Sequence, residues 1–312
     1  MIAMCPMFGL NTPACRVVAF AGALVVGGAD PAAAQPRPDW VDSDRTAPSG
    51  MTYRTFDSTH AGGDVSYLIY LPPDYDTAAT RRYPVIYWMH GLGGRQSGGA
   101  RLAARLDRGI RAGEAPEVIV VSINGLRASM YSDSKDGQRP VESMIVEDLV
   151  PHVDATYRTI PRRQARAVAG MSMGGYGTFR LGFKYPELFG VMSSFAAALH
   201  TEATLAENRA AVYDAVYGGD ADYARRNTPW TLAEENADAV RGRTVIRQII
   251  GTADGLLEWN RAFHRLLEQR GVEHDYIEVP DVAHDYDGLS ATIGDATFAF
   301  YRRAFGEGAE TR

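Results

Sequence analysis

Cysteine is nearly absent from this 312-residue chain, with Cys5 and Cys15 its two examples. The chain beyond them has no disulfide framework, no thiolate nucleophile and no cysteine metal site. A protein of this size can rely on its core and does not need covalent staples. Lysine is scarce too: Lys135 and Lys184 stand among many arginines, a usage that reads as the codon bias of a GC-rich genome. Positive charge is not in excess, since 32 Lys and Arg face 38 Asp and Glu, for a formal net charge of −6. Such a chain has no electrostatic reason to hold nucleic acid or an anionic membrane surface. No His/Asp/Glu cluster has catalytic-zinc spacing, and there is no phosphate loop. Asp133-Ser134-Lys135-Asp136-Gly137 lacks the spacing and the glutamate of an EF-hand and reads as a solvated loop. Neither a metal nor an organic cofactor is expected.

A membrane-spanning run is missing as well. Val17 to Ala29 (VVAFAGALVVGGA) is apolar but too short to span a bilayer comfortably. Arg16 precedes it and Ala32-Ala33-Ala34 follows it, which is the order of a secretion signal with a small-residue cleavage site. Residues 1–34 are therefore expected to be a signal peptide, the protein to be exported, and the mature chain to lack both cysteine and stable membrane insertion. Residues 35–50, rich in Pro, Asp and Ser, read as a linker or loosely held arm.

What remains has the composition of an ordinary globular domain, 46% hydrophobic and 22% charged, with 32 glycines available for turns. Strand-like and helix-like segments alternate. Val65–Leu71, Pro84–His90, Glu117–Ile123, Arg166–Ala169, Gly190–Phe195, Thr244–Ile250 and Asp275–Val279 are short and rich in β-branched or aromatic residues. The nearly continuous apolar run at 117–123 suits a strand buried on both faces. Between them, Ile145, Leu149, Val153 and Tyr157 make one helical face, which Pro151 should kink or divide. Leu256–Gln269 and Leu289–Phe305 are further helix candidates. The pattern is that of an α/β fold, a mainly parallel sheet with helices on both faces and an antiparallel edge from the first strands. Residues 198–241 interrupt the alternation and read as a small helical insertion over the sheet edge. Residues 51–305 would form the domain, and 306–312 a frayed tail.

Gly170-Met171-Ser172-Met173-Gly174 is a G-x-S-x-G nucleophile elbow, with a strand-like run before it and a helix-like run after it. Serine at so sharp a turn needs glycine on both sides for steric reasons. Such an elbow belongs to the α/β-hydrolase fold, which orders its triad as serine, acid, histidine. Of the histidines at 60, 90, 152, 200, 264, 274 and 284, His264 falls inside a predicted helix and His274 at the start of a strand. His284 follows a strand and a loop, where such sheets place ligands. Asp254 lies on the turn after another buried strand. An aspartate there also suits a helix N-cap, but it is the expected acid. Asp281 and Asp285 compete with it, though both sit very close to His284 along the chain. The backbone N–H of Met173, and that of Leu92 in His90-Gly91-Leu92-Gly93-Gly94, are the expected oxyanion donors. His90 is expected to be structural.

The ordered pieces resemble the esterase D-like family, which includes feruloyl and acetylxylan esterases, S-formylglutathione hydrolases and mycolyltransferases. The resemblance rests on HGLGG at 90–94, Tyr131-Ser132-Asp133-Ser134, Glu142-Ser143 leading into Glu147-Asp148-Leu149-Val150-Pro151, Thr156-Tyr157-Arg158-Thr159, GMSMGGYG at 170–177, Gly251–Asp254, and His284-Asp285. It implies the same triad and the same oxyanion donors. It also implies an acyl-enzyme route on short-chain, acetyl or feruloyl esters, with a small-molecule or oligosaccharide ester as partner. A mycolyltransferase-type transacylase and a non-catalytic module on this scaffold are the rival readings. The family often carries tryptophan two residues after the histidine, where this chain has Tyr286. Tyr131, Trp230, Trp259 and Tyr286 are expected to offer rings to a phenolic acyl group or a sugar face.

Overall fold

The computed structural model describes residues 39–309, so the signal-peptide expectation lies outside the described residues. Eight strands form one sheet: β1 (Thr52–Ser58), β2 (Gly63–Tyr70), β3 (Val85–Met89), β4 (Ile119–Ile123), β5 (Arg166–Met171), β6 (Val191–Phe195), β7 (Val245–Gly251) and β8 (Asp275–Val279). Their order is β1-β2-β4-β3-β5-β6-β7-β8. The β1–β2 and β2–β4 pairs are antiparallel, and every other pair is parallel. This is the α/β-hydrolase arrangement. β1 has no counterpart among the expected strands, because TYRTFDS at a sheet edge is mostly polar and leaves only Phe56 and Ser58 buried.

The central strands read as unbroken apolar runs because both faces are covered. Along β3, Val85, Tyr87 and Met89 pack into one helical layer, while Ile86 and Trp88 pack into the other. The first layer includes Phe179, Leu181 and Phe183 of the helix Met173–Lys184 and Phe263 and Leu267 of the helix Leu257–Gln269. The second includes Leu102 and Leu106 of the helix Ala100–Arg111 and Phe298, Tyr301 and Phe305 of the helix Ala296–Ala309. Burial on this scale is the main favourable contribution to folding.

Four local expectations change. Pro151 does not simply break its helix: Met144–Leu149 winds as a π-helix, the Val150 N–H reaches back to the Ile145 carbonyl, and Pro151 then opens Val150–Thr156, where its missing N–H is not needed. The expected helix 289–305 is two helices, Tyr286–Ile293 and Ala296–Ala309, separated at Gly294 with φ 48°. The supposed loose arm is anchored at its end. Trp40 is buried in the core, its carbonyl accepts the Ser66 N–H at 2.8 Å, and Asp42 is paired with Arg95. Finally, Glu202–Asn208, Ala210–Tyr217, Ala221–Arg226 and Pro229–Val240 are helices that pack on one another, and they join the body chiefly through Pro229–Val240 against the helix Met173–Lys184 instead of over a sheet edge. Tyr176 and Tyr217 hydroxyls meet there at 3.2 Å.

Candidate active site

Ser172 stands between β5 and the helix Met173–Lys184 with φ 59° and ψ −115°, a conformation that side-chain-bearing residues rarely adopt. The backbone around it enforces this turn. The Ser172 N–H donates to the Phe195 carbonyl at 3.0 Å, and the Ser172 carbonyl accepts the Tyr176 and Ala198 N–H groups at 2.9 Å. A methyl group on Gly174 would lie 2.0 Å from the Met89 carbonyl oxygen, and one on Gly170 would lie 2.5 Å from that of Gly174. Both flanking glycines are therefore demanded by close approach of neighbouring backbone.

Two loops at the ends of β7 and β8 bring Asp254 to His284. They are stitched together by Thr252 N–H to the Val279 carbonyl at 2.9 Å, Ala253 N–H to the Val282 carbonyl at 3.1 Å, and Asp281 N–H to Thr252 Oγ1 at 2.9 Å. A methyl group at Gly251 would overlap the Val282 carbonyl oxygen at 1.9 Å, so only glycine permits this contact. The result is a 2.7 Å hydrogen bond from His284 Nδ1–H to Asp254 Oδ2. Asp254 Oδ1 accepts the Leu256 N–H at 2.9 Å, so the carboxylate stabilises its turn and still orients the imidazole. Its side chain is 1% exposed and that of His284 is 40% exposed, so the acid is sealed and the imidazole is open to the cleft. Asp285 is engaged elsewhere, capping Tyr286–Ile293 through the Asp287 and Gly288 N–H groups.

The loop after β3 completes this end of the sheet. Gly94 N–H closes on the Gly91 carbonyl at 2.9 Å, and Gly93 N–H donates to the Arg127 carbonyl at 2.6 Å. A methyl group at Gly91 would sit 3.4 Å from Ser172 Cβ, so this loop runs directly beside the serine. Leu92 is 44% exposed, the one exposed large hydrophobic side chain among the described residues. His90 is buried, and its Nδ1–H donates to the Gly91 carbonyl at 2.9 Å. Burial lowers its pKa to about 4, which keeps it neutral.

Ser172, Asp254, His284, Leu92 and Met173 all line one cleft of about 310 Å³. The four aromatic residues expected there do not. Tyr131 is fully buried and donates its hydroxyl to the His90 carbonyl at 3.0 Å, beneath the loop. Tyr286 points into the opposite layer and packs edge-on against Trp88 and Phe195, at 5.1 and 5.0 Å between centroids. Trp230 meets Phe263 edge-on and donates Nε1–H to the Leu199 carbonyl at 3.2 Å. Trp259 backs onto His200 at 4.4 Å. Rings of this size bury more favourably than they stand in water. In their place the cleft is walled by Met130, Ala198, His200, Arg209, Val212 and Leu256. His200 had one readable signal, its position just beyond β6 at the ligand-bearing end of the sheet. Arg209 and Val212 had none.

Residues 58–307 match the family model described as "Putative esterase". An esterase of Mycobacterium tuberculosis is 30% identical over 291 residues, which cover 82% of this chain and 62% of that protein. The chain thus spans less than two thirds of that relative. An endo-1,4-beta-xylanase/feruloyl esterase of Xylanibacter ruminicola is 25% identical over 222 residues, 69% of this chain and 30% of that protein. A solved ferulic acid esterase superposes with a TM-score of 0.70 at 23% identity, covering 82% of this chain and 98% of its own, a likeness of fold. With about four fifths of its length matched by the model, and the elbow, acid and histidine loops all inside the match, the chain belongs to this esterase family.

Proposed function

We propose that the protein is an exported serine carboxylic-ester hydrolase acting through an acyl-enzyme on short-chain, acetyl or feruloyl esters of carbohydrates. Asp254 holds the Nδ1–H of His284, so that Nε2 is the basic nitrogen left to serve Ser172. His284 takes the proton of Ser172 as its Oγ attacks the ester carbonyl. The negative charge that develops on the carbonyl oxygen is met by the Leu92 and Met173 N–H groups. Collapse breaks the bond to the alcohol, which leaves with the proton from His284. Water then attacks the acyl group, again giving its proton to His284, and the acid departs with Ser172 restored.

The observation that carries this reading is the 2.7 Å Asp254–His284 hydrogen bond in the same cleft as a serine at positive φ. Family membership supports ester chemistry, the feruloyl esterase relative supports the substrate class, and the apolar run with its Ala-Ala-Ala end supports export. The test is covalent labelling with a fluorophosphonate, followed by turnover on acetyl, butyryl and feruloyl esters and a long-chain triglyceride. The intact protein is expected to label and to prefer the short or phenolic esters, and Ser172→Ala to do neither. Labelling that persists in Ser172→Ala would remove the serine from its assigned role, and a preference for triglyceride would overturn the substrate class.

A further inference from the structure

Two formally charged side chains line the cleft, Asp254 and Arg209. Asp254 is committed to His284 and to its own turn, and Arg209 has no carboxylate partner among the described residues. Its guanidinium Nη1 donates to the Asn208 carbonyl at 2.8 Å, and the side chain is otherwise exposed at the cleft. Beside it His200 is 3% exposed, and its Nδ1 is buried without a hydrogen-bond partner. Burial, with help from the charge of Arg209, lowers the His200 pKa to about 4. The ring is therefore neutral and carries one N–H. With Nδ1 shut off from solvent and no acceptor beside it, that proton belongs on Nε2, which can donate to a ligand in the cleft.

We propose that the cleft selects esters that themselves carry a carboxylate, held by the Arg209 guanidinium with His200 donating a second hydrogen bond. A half-ester of a dicarboxylic acid and an ester on an acidic sugar both have this chemistry. Planar carboxylate against planar guanidinium is the pairing that arginine favours. This rests on the esterase reading above and names the charge of its substrate.

The test compares kcat/KM on matched pairs that differ in one charge. 4-Nitrophenyl hemiglutarate against 4-nitrophenyl valerate places the carboxylate on the acyl side. 4-Acetoxybenzoate against 4-acetoxybenzamide places it on the alcohol side. In at least one pair the charged ester is expected to be favoured. Arg209→Gln should then lower the charged-to-neutral ratio about tenfold, chiefly through KM, as for a partly exposed charge-assisted hydrogen bond. Arg209→Lys should restore part of the ratio, and His200→Phe should lower it a few-fold. Raising the salt to about 0.5 M should shrink the preference of the intact protein, because an exposed pair is screened. Which pair responds identifies the side that Arg209 faces. Turnover of the neutral esters with a ratio that Arg209→Gln leaves unchanged in both pairs overturns this inference alone. No turnover of any ester by the intact protein overturns the esterase reading and this inference with it.

Discussion

The two sides of the cleft are held by different means. The side that carries the proposed triad, formed by the turns after β5, β7 and β8, is fixed by backbone: Gly174 against the Met89 carbonyl, Gly251 against the Val282 carbonyl, and the elbow's hydrogen bonds to Phe195 and Ala198. The opposite side comes from the helices that follow β6 and is tied down by side chains. Fully buried Arg180 donates to the Asn227 carbonyl at 3.1 Å, to Asn227 Oδ1 at 2.6 Å and to the Tyr131 carbonyl at 2.8 Å, and pairs with buried Glu142. Burial alone would raise the Glu142 pKa, but Arg180 and Lys184 outweigh it and hold it at about 2. Backbone packing leaves no rotamer freedom and suits groups that must keep a reacting geometry. Side-chain ties can be exchanged without disturbing the strand ends, and so suit a wall that sets preference among substrates.

The largest expected effect tests the side of the proposed triad directly. Asp254→Asn should lower turnover by about four orders of magnitude with little change in KM, since the amide fills the space but favours the wrong imidazole tautomer. Asp281→Asn and Asp285→Asn should each stay within about tenfold of the intact enzyme, on the same free-energy scale. An active Asp254→Asn beside an inactive Asp285→Asn would transfer the role to the other carboxylate.

Breaking the opposite wall should act on stability. Arg180→Met leaves buried Glu142 with Lys184 as its one cation and takes the guanidinium donors from the Asn227 and Tyr131 carbonyls, and should cost about 3–5 kcal/mol by urea unfolding. Arg180→Met with Glu142→Leu should recover part of that loss. A single variant as stable as the intact protein would show that the network does not hold the helices in place.

A pH titration of stability reaches the loop between the two sides. His90 binds its proton near pH 4 when folded, against an ordinary value of 6.5. Above pH 6.5 neither state is protonated and there is no effect. Between 6.5 and 4 the unfolded chain takes up a proton that the folded protein refuses, so stability falls with falling pH. The total is on the order of 3 kcal/mol and is complete below about pH 4. His200 acts in the same sense. His90→Gln should flatten the unfolding curve over this window, and an unchanged slope would remove His90 from the account.

The mildest expectation sharpens the backbone argument. Gly251→Ala forces apart two loops that carry the acid and the base. A shift of about 1 Å should cost on the order of a hundredfold in kcat. If kcat is untouched, the stitching is not what positions His284.

Periodicity and turn chemistry made much of this visible beforehand. Seven of the eight strands were legible because central strands must be apolar on both faces, and the elbow because its glycines answer a local steric demand. β1 was not, since a polar edge strand is stabilised by its partner and has no pattern of its own. Nor was the π-helical stretch before Pro151, which depends on how the surrounding helix is packed.

By itself, then, the sequence determined the strand series, the α/β class, and a serine, an aspartate and a histidine at the ends of three strands, because each depends on the few residues around it. Only the tertiary structure decided which large rings face the cleft. Tyr131, Trp230, Trp259 and Tyr286 have no local reason to point inward or outward, and each turned to whichever layer had apolar volume to fill. It alone also placed Arg209, remote from the triad along the chain, in the cleft wall, because a helical segment that carries no pattern of the site folds back over the helix that begins at the serine.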